Sequence, residues 1–334
     1  MNDTIQLAHG SGGDTSRRWL RDDVLQAYGN DILGRLSDAA VLPGTANNSM
    51  AFTTDSFVVS PLDFPGGDIG KLAVCGSVND LAVEGARPKW LSCSLIIEEG
   101  FSRKHLRRIL DSMAVTACEA DVQIVCGDTK VVDHGNVDEL YINTAGIGEM
   151  HGAYHAAPIR EGDAVIISGT LGDHEAAVFQ AREQVGLSHD LVSDCACLHD
   201  LTASMLAAVP EGIRVMRDPT RGGVGGVLNE LAGQGCGVEL DEDALPIRAP
   251  VQGLCELVGF DPLYLANEGK VVCVVAPGEA ERLLDAMHRH PLGSEAVRIG
   301  TVLRDERQRV LVNTGTGGRR ILPPPSGVQL PRIC

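Results

Sequence analysis

The chain has 334 residues, a formal net charge of −17 and 44% hydrophobic residues. So negative a charge argues against a nucleic-acid-binding protein, because phosphate backbones are held by clustered lysines and arginines. No apolar run reaches the roughly 20 residues that cross a bilayer, and the polar start lacks a signal-peptide core. The composition therefore predicts a cytoplasmic globular protein that binds neither nucleic acid nor membrane and keeps its cysteines mostly reduced.

Strand and helix patterns alternate along the first half of the chain. A helical pattern surrounds Trp19, and Ser102 is placed to cap the N-terminus of a long helix. Strands are predicted at residues 51–60, 90–98, 122–126 and 141–148, and helices at 68–85 and 102–120.

The alternation restarts after residues 151–162, a stretch rich in alanine, proline and glycine. Strands are predicted at 164–168, 213–216, 271–276, 297–303 and 309–312, and helices at 174–185, 198–208, 222–234 and 279–288. We therefore expect two mixed α/β domains, residues 1–155 and 156–322.

The last segment, residues 323–334, differs from both halves. Pro323, Pro324 and Pro325 favour an extended conformation, and the residues after them show no periodicity. Nine residues span up to about 30 Å when extended, so a flexible tail could carry the thiol of Cys334 over that distance. A thiolate can carry a covalent intermediate, although a terminal cysteine can also be accidental. The cysteines predicted to be inert core thiols are Cys75, Cys93, Cys118, Cys126 and Cys273.

Four aspartates of the first half lie in polar motifs: Asp38 in SDAAV, Asp55 in TTDS, Asp80 in NDLA and Asp128 in GDTK. Magnesium takes hard oxygen ligands, usually a few carboxylates together with waters and substrate phosphates. Each aspartate alone equally suits a helix cap or a turn. Asp55 and Asp128 favour the metal interpretation, because each brings polar residues into a strongly apolar strand.

Four further groups suit phosphate chemistry. Lys130 could neutralise charge that develops during phosphoryl transfer, although it also suits a solvated surface. The glycines of residues 9–13 could bind phosphate through backbone N–H groups, or form a flexible terminus. Arg221 lies in DPTRGG between a predicted strand and helix, a natural anion site or a glycine-rich turn. Glu268 in NEGK is a candidate base or a turn residue.

Together these motifs resemble one family. TTDSFVV, VNDLAVEGARP, CGDTKVV, DPTRGG and NEGK, with the terminal PRIC, look like the HypE hydrogenase maturation proteins of the PurM-like ATP-binding superfamily. The resemblance runs across nearly the whole chain. It implies an α/β (α+β) fold of two PurM-like domains: an N-terminal sheet domain that binds ATP and forms a dimer, and a C-terminal domain over the ATP cleft.

The resemblance also implies a reaction. The carbamoyltransferase HypF would load a carbamoyl group onto the terminal cysteine, and ATP would phosphorylate the carboxamide oxygen. Loss of phosphate and a proton would leave a thiocyanate. The cyano group would then pass to iron on a HypC–HypD complex, for a nickel–iron hydrogenase.

Residue roles follow by the same resemblance. The implied catalytic residues are Cys334, Lys130 and Glu268, with Glu268 as the base and Lys130 as the alternative. The implied ATP-binding residues are Gly10, Gly12, Gly13, Thr54, Asp55, Asn79, Asp80, Gly127, Asp128, Thr129, Arg221 and Gly222. The implied magnesium ligands are Asp38, Asp55, Asp80 and Asp128. Ser37 departs from the paired acids that often precede the AAV segment, which removes one ligand beside Asp38.

Other functions stay open on the sequence. Selenophosphate synthetase, of the same superfamily, would be expected to carry cysteine or selenocysteine in the glycine loop, where this chain has His9 and Ser11. Thiamine-monophosphate kinase would not need a terminal thiol. A non-enzymatic maturation scaffold would not hydrolyse ATP.

Overall fold

A computed structural model describes residues 13–42, 49–150, 152, 154–183, 191–325 and 330–334 of the chain. The described residues form two main sheets, of five strands in the first half and seven in the second. Gly10 and Gly12 of the predicted glycine loop lie outside the described residues. No helix of the described ranges is both long enough and apolar enough to cross a membrane.

The first half contains one five-stranded sheet and a small two-stranded one. Its strands are β1 (Ala40–Leu42), β2 (Met50–Phe57), β3 (Asp63–Phe64), β4 (Gly67–Asp68), β5 (Ala86–Glu98), β6 (Gln123–Val132) and β7 (Leu140–Met150). Its helices are α1 (Gly13–Trp19), α2 (Leu25–Tyr28), α3 (Ile69–Val83) and α4 (Arg103–Glu119). The large sheet has the order β1-β2-β7-β5-β6, and β3 pairs with β4. β5 and β6 run parallel, and α4 is the crossover that a parallel pair requires.

The second half forms a seven-stranded sheet covered by helices. Its strands are β8 (Ala164–Ile167), β9 (Ile213–Arg217), β10 (Cys236–Asp241), β11 (Val272–Val275), β12 (Val297–Arg304), β13 (Val310–Asn313) and β14 (Arg319–Leu322). Its helices are α5 (Asp173–Glu183), α6 (His199–Ala208), α7 (Gly223–Leu231), α8 (Ala249–Val258) and α9 (Ala280–His288). The order is β14-β13-β10-β12-β8-β11-β9.

The interior strand β8 shows why this sheet is covered on both faces. All four of its residues are buried. Val165 and Ile167 pack in one apolar core, whereas Ala164 and Ile166 pack in another. Because successive side chains of a strand point to opposite faces, a strand buried on both sides needs a continuous apolar run.

Helix α3 connects the two halves. Thirteen of its 15 residues are buried, so the helix is enclosed by protein on nearly all sides. It contacts β2, β5 and β7 of the first sheet, and α4 and α6 on other sides. A Cβ atom at Gly70 would lie 2.5 Å from the backbone oxygen of Ile109, so glycine is what permits α4 to approach this closely. The carboxyl end of α3 thereby carries Asn79 and Asp80 to the boundary between the halves.

Strand β6 is the exposed edge of the first sheet. Nine of its ten residues are exposed, including Ile124, Val125 and Val131. Val125 and Val131 keep 57% and 65% of their surface accessible, which is unusual for β-branched apolar residues. A long, apolar, unpaired edge of this kind is a natural surface for pairing with another chain.

Most of the predicted elements are confirmed, and the differences have physical causes. Ser102 caps α4 as predicted, accepting a hydrogen bond from His105 N at 3.3 Å. β6 extends to Val132, beyond its predicted end at residue 126, because an exposed edge strand accommodates polar residues on both faces. The elements that the sequence did not predict are β1, β3, β4, β10, β14 and α8. α8 was missed because Pro250 and Gly253 interrupt its pattern, although proline is tolerated in the first turn of a helix.

The prediction of core thiols is wrong for two cysteines. Cys118 and Cys126 are exposed, the first on α4 and the second on the β6 edge. Both lie in apolar sequence patterns, but each belongs to an outward-facing surface of its element. Cys75 and Cys273 are buried as predicted, and Cys93 is partly buried.

Candidate active site

A cluster of four carboxylates, one buried and three partly buried, lies where the two halves meet. Asp38 precedes β1, Asp55 lies on β2, Asp80 lies near the end of α3, and Asp218 follows β9. Burial raises the pKa of all four. Neighbouring aspartates raise that of Asp80 further, whereas Arg221 opposes the rise at Asp55, and Arg217 opposes it at Asp38 and Asp218. The pKa of Asp218 is raised to about 8. Carboxylates whose pKa values stay raised despite nearby arginines form a site that would favour additional positive charge.

The cluster is partly held by side chains that the sequence did not single out. Thr53 Oγ1 donates to Asp80 Oδ2 at 2.5 Å. Asp38 forms an ion pair with Arg217, which also contacts Glu230 Oε2 at 3.2 Å. Asp38, predicted as a magnesium ligand, therefore already has a cationic partner. A cavity of about 660 Å³, large enough for a nucleotide, opens beside Asp38, Arg217 and Arg221.

Thr54, predicted to bind ATP, lies on the face of β2 opposite to the carboxylate cluster. Thr53 is buried on the α3 side of the sheet with the carboxylate cluster, whereas Thr54 is exposed. Thr54 Oγ1 donates instead to the backbone oxygen of Thr144 at 3.0 Å. Because side chains alternate along a strand, Thr53 and Asp55 share a face and Thr54 lies on the other.

The structure does not bring Asp128 to the other predicted magnesium ligands. In the strand register Asp128 pairs with Ser94, Ser94 with Asn143, and Asn143 with Ser56. Three strand spacings therefore separate Asp128 from β2, about 14 Å. Magnesium binds its ligands at about 2.1 Å, so within one chain Asp128 and Asp55 cannot share an ion.

Asp128 has its own partner on the exposed edge. Lys130 Nζ lies 2.7 Å from Asp128 Oδ2, and Thr129 N donates to Asp128 Oδ1 at 2.9 Å. These hydrogen bonds, with the charge of Lys130, lower the pKa of Asp128. Gly127, Asp128, Thr129 and Lys130, all predicted site residues, thus form an exposed group on β6.

Asn79, predicted to bind ATP, ties the two halves together. Its amide nitrogen donates to the backbone oxygens of Ala196 and Glu268 at 3.0 and 3.2 Å, and its amide oxygen accepts from Leu198 N at 2.8 Å. The side chain is buried, and these three bonds occupy most of its capacity. In this arrangement Asn79 positions Glu268.

Glu268 is a buried carboxyl group with an unsatisfied oxygen. Among the described residues its Oε1 has no hydrogen-bond partner. Its backbone N donates to Asp194 Oδ1 at 3.0 Å, and Asp194 Oδ2 lies 2.9 Å from Lys270 Nζ. Burial first, then the charges around it, raise the pKa of Glu268 well above its usual range. A carboxylate with a raised pKa is a stronger base, which suits proton abstraction.

The tail brings Cys334 to the same place. Val58 N donates to Cys334 O at 3.0 Å, and Ser60 N donates to Arg332 O at 3.1 Å, so the last residues run beside the segment after β2. Burial raises the pKa of the Cys334 thiol to about 12, Arg221 opposes this, and Glu268 and Asp55 add to it. The charges of Arg221, Glu268 and Asp55 therefore all act on the Cys334 thiol.

Two glycines border the path of the tail. Gly222, with φ 81°, caps α7 immediately after Arg221. A Cβ atom at Gly13 would lie 2.1 Å from the backbone oxygen of Pro325, and one at Gly222 would lie 3.2 Å from the Pro325 side chain. The start of the tail thus packs against both the end of the predicted glycine loop and the N-terminus of α7.

Sequence reasoning missed Thr53, Asp194 and Asp218 as members of the site. Asp218 begins the DPTRGG motif, so its membership could have been inferred had the motif been treated as acidic as well as anion-binding. Thr53 could have been found from strand alternation with Asp55. Asp194 belongs to a segment without a recognisable pattern, and only the fold places it under Glu268.

Comparisons with known proteins identify the family. Residues 36–150 match the family described as AIR synthase related protein, N-terminal domain, and residues 160–313 match AIR synthase related protein, C-terminal domain. The chain is 48% identical to the carbamoyl dehydratase HypE of Azotobacter vinelandii over 339 residues, covering 100% of this chain and 98% of that protein. It is 48% identical to the carbamoyl dehydratase HypE of Escherichia coli K12 over 337 residues, covering 99% of each.

Solved structures agree. A crystal structure of a HypE–HypF complex matches with a TM-score of 0.86 and 44% identity, covering 92% of this chain and 99% of that one. A crystal structure of HypE in complex with ATP matches with a TM-score of 0.82 and 44% identity, covering 99% and 100%. Thiamine monophosphate kinase from Aquifex aeolicus, at 17% identity and a TM-score of 0.67, shares the fold alone. The chain therefore belongs to the HypE family of carbamoyl dehydratases and has its PurM-like α/β fold.

Proposed function

We propose that this chain is an ATP-dependent carbamoyl dehydratase that converts a carbamoyl group on its own Cys334 into a thiocyanate. The observation that carries the proposal is the docked position of the C-terminus, where Val58 N donates to Cys334 O at 3.0 Å and the charges of Glu268 and Arg221 act on the thiol. The cyano group formed in this way would become a ligand of the iron in a nickel–iron hydrogenase. The family membership and the ATP complex of a 44% identical HypE support the same activity.

The reaction balances without an added oxidant or reductant. The carboxamide oxygen takes the terminal phosphoryl group of ATP, which turns a poor leaving group into a good one. As the oxygen is phosphorylated, the nitrogen loses one of its two protons and a C=N bond forms. A base then removes the second proton from the nitrogen, the C–O bond breaks with release of phosphate, and a C≡N bond remains on sulfur. The products are the thiocyanate, ADP and phosphate, and the oxygen lost from the carboxamide leaves in the phosphate.

Named residues would divide this work. Glu268 would accept the proton, because its raised pKa makes its carboxylate a stronger base. Arg221 and the N-terminus of α7 would bind phosphate oxygens. ATP phosphates are normally bound together with magnesium, which would supply positive charge at the transferred phosphoryl group.

The carboxylate cluster fits such an ion by its chemistry. Asp55, Asp80 and Asp218 would be its ligands, since they provide hard oxygens whose mutual repulsion a divalent cation would relieve. The described residues contain no preformed group of three such ligands, so binding would require the carboxylates to turn inward. Asp38 would remain with Arg217.

A homodimer would explain the exposed edge. Ile124, Val125 and Val131 present apolar surface on β6 that a second copy would cover. Pairing there would also place Asp128 and Lys130 against the partner subunit, where Lys130 could approach phosphate or the carboxamide as the alternative base. Light scattering at micromolar concentration tests this, and a monomer with and without ATP would contradict it.

The other proposed partners follow the family. HypF would load Cys334, in keeping with the matching HypE–HypF complex, and a HypC–HypD complex would accept the cyano group. We also propose the domain limits 1–155 and 156–322, with 323–334 as the tail that visits these partners. A movable tail suits this sequence of contacts, and its docked form is one end of that movement.

Mass spectrometry of the C-terminal peptide tests the function. With HypF, carbamoyl phosphate and ATP, the peptide that contains Cys334 should gain one carbamoyl group, and then lose one water in the presence of magnesium. Cys334→Ala should abolish both changes and retain ATP binding. Because Cys118 and Cys126 are exposed, Cys118→Ser and Cys126→Ser are the matched controls and should react like the wild type. Loading that persists in Cys334→Ala would overturn the mechanism.

A further inference from the structure

The docked tail is held by main-chain contacts from a helix of the second half. Arg182, on α5, donates from Nη1 to Pro331 O at 2.7 Å and from Nη2 to Arg332 O at 2.6 Å. His174, two turns earlier on the same helix, lies with Nε2 2.7 Å from Ile333 O. Three consecutive carbonyl groups before Cys334 are therefore bonded to two side chains of α5.

His174 has one protonation form that satisfies every contact. A carbonyl oxygen only accepts, so Nε2 carries the proton and donates to Ile333 O. Nδ1 then accepts from Ser193 Oγ at 2.8 Å, while Ser193 Oγ accepts from Cys195 N at 3.1 Å. Burial lowers the pKa of His174, which keeps the ring neutral and this arrangement in place. The bond with Ser193 thus fixes the orientation of the His174 ring independently of the tail.

Residues of the first half also contact the docked tail. Arg332 Nε donates to Val58 O at 2.8 Å, its Nη1 forms an ion pair with Asp138, and its guanidinium lies 5.7 Å from the centre of the Tyr141 ring. Leu330 and Ile333 are buried in the same apolar core as Phe57 and Val178. The apolar and Arg332 contacts attach the tail, whereas the carbonyl contacts fix how far it enters.

We propose that Arg182 and His174 are positioning residues for the dehydration step, holding the carbonyl groups of residues 331–333 so that the Cys334 thiol stays beside Glu268 and Arg221. This inference rests on the proposed function and deepens it. Neither side chain touches the reacting atoms. Each acts through the backbone of residues 331–333, in addition to the apolar contacts that Leu330 and Ile333 make.

The two half-reactions separate positioning from folding. Loading requires the thiol to reach a partner, and therefore needs no docked tail, whereas dehydration requires the docked position. His174→Leu replaces the imidazole with an apolar side chain of similar volume that cannot donate to Ile333 O. Arg182→Gln removes the guanidinium, and with it the positive charge and the paired bonds to Pro331 O and Arg332 O. We expect the dehydration rate, measured as loss of water from the loaded C-terminal peptide, to fall about fivefold and about tenfold or more, respectively. Loading should be unchanged or faster.

Conservative variants and matched controls sharpen the test. His174→Gln retains a neutral donor and should recover most of the rate. Arg182 also donates from Nε to Ser60 O at 2.7 Å, which links α5 to the first half, so its variant alone could report a structural loss. His288→Gln is the control, because His288 Nε2 also donates to a backbone oxygen, Ala296 O at 2.8 Å, away from the tail. It should leave both half-reactions unchanged.

Alkylation of Cys334 by iodoacetamide gives a readout independent of the enzyme activity. Followed by peptide mass at fixed pH, it should be faster in His174→Leu and Arg182→Gln than in the wild type and in His288→Gln. Equal losses of loading and dehydration, or unchanged alkylation and dehydration, would overturn the positioning role. If the wild type is never loaded, the proposed function fails, while the alkylation rates still decide whether α5 holds the tail.

Discussion

The carboxylate cluster and the exposed Asp128–Lys130 pair are built from similar motifs, yet the fold gives them opposite surroundings. Asp80 lies at the end of an enclosed helix, where burial and neighbouring acids raise its pKa well above the usual range. Asp128 lies on an open strand, where Lys130 and Thr129 lower its pKa. Both were predicted as parts of one metal site, and about 14 Å separates their strands within a chain.

The difference shows what each group can contribute. The cluster at the boundary has hard oxygen atoms whose charge Arg217 and Arg221 compensate only in part, so we propose that it binds a cation. The exposed pair is already neutralised internally and sits on an apolar edge, so it can contribute to the reaction only across an interface. The residues that were predicted as one site therefore separate into an acidic part at the boundary of the halves and an exposed part on β6, which a dimer would bring to the cleft of the partner subunit.

The largest effect is expected from Asp80→Asn. The change removes a hard anionic ligand at constant volume, and the dehydration rate should fall by about 10³-fold or more if magnesium binding is lost. The protein should remain folded, because the asparagine oxygen can still accept the bond from Thr53. Magnesium should raise the melting temperature of the wild type and leave that of Asp80→Asn unchanged. A variant with normal turnover would remove Asp80 from the site.

A smaller effect is expected from Lys130→Ala. If this lysine stabilises charge in the cleft of a partner subunit, the dehydration rate should fall by about 10²-fold. Mixing Lys130→Ala, which keeps its thiol, with Cys334→Ala, which keeps its lysine, should then restore dehydration as heterodimers form. Lys89→Ala, which changes a lysine elsewhere on the first sheet, is the control. Mixtures as inactive as Lys130→Ala alone would contradict action across the interface.

Local order could largely be predicted from the sequence. Helix α4 with its Ser102 cap, and the strands around Asp55 and in the second half, follow from periodicity and capping chemistry alone. Asp55 in TTDS was singled out because polar residues interrupt an apolar strand there, and Arg221 in DPTRGG because its motif lies between a predicted strand and helix. These signals depend only on neighbours in the chain.

What the sequence did not reveal depends on the packing of distant segments. Asp128 and Asp55 have similar motifs, and only the strand order shows that two strands lie between them. Which of Thr53 and Thr54 lies beside the carboxylates depends on which face of β2 meets α3. Arg182 of α5 binds the tail about 150 positions further along the chain. Its acceptors there are backbone carbonyl groups, which every residue has, so no residue type in the tail indicates the contact.

The smallest effect, a dependence of stability on pH, separates the two regions most directly. Asp218 has a pKa raised to about 8 in the folded protein, against a usual value of 3.8. A carboxyl whose folded pKa is raised favours the folded state while it is protonated, and this contribution is lost as pH rises from about 4 to about 8. Without magnesium, the melting temperature should therefore fall over this window.

Magnesium should reverse that trend, because an ion binds the deprotonated carboxylates and its affinity increases as protons leave. The increase in melting temperature that magnesium causes should therefore grow from pH 6 to pH 8. Asp218→Asn should flatten both dependences, since its amide does not titrate. Asp128→Asn should leave both unchanged, because the exposed carboxylate already carries its full charge throughout this window, its pKa being lowered by Lys130. If Asp128→Asn flattened the curves and Asp218→Asn did not, the metal-attracting region would have to be placed on the β6 edge instead of in the carboxylate cluster.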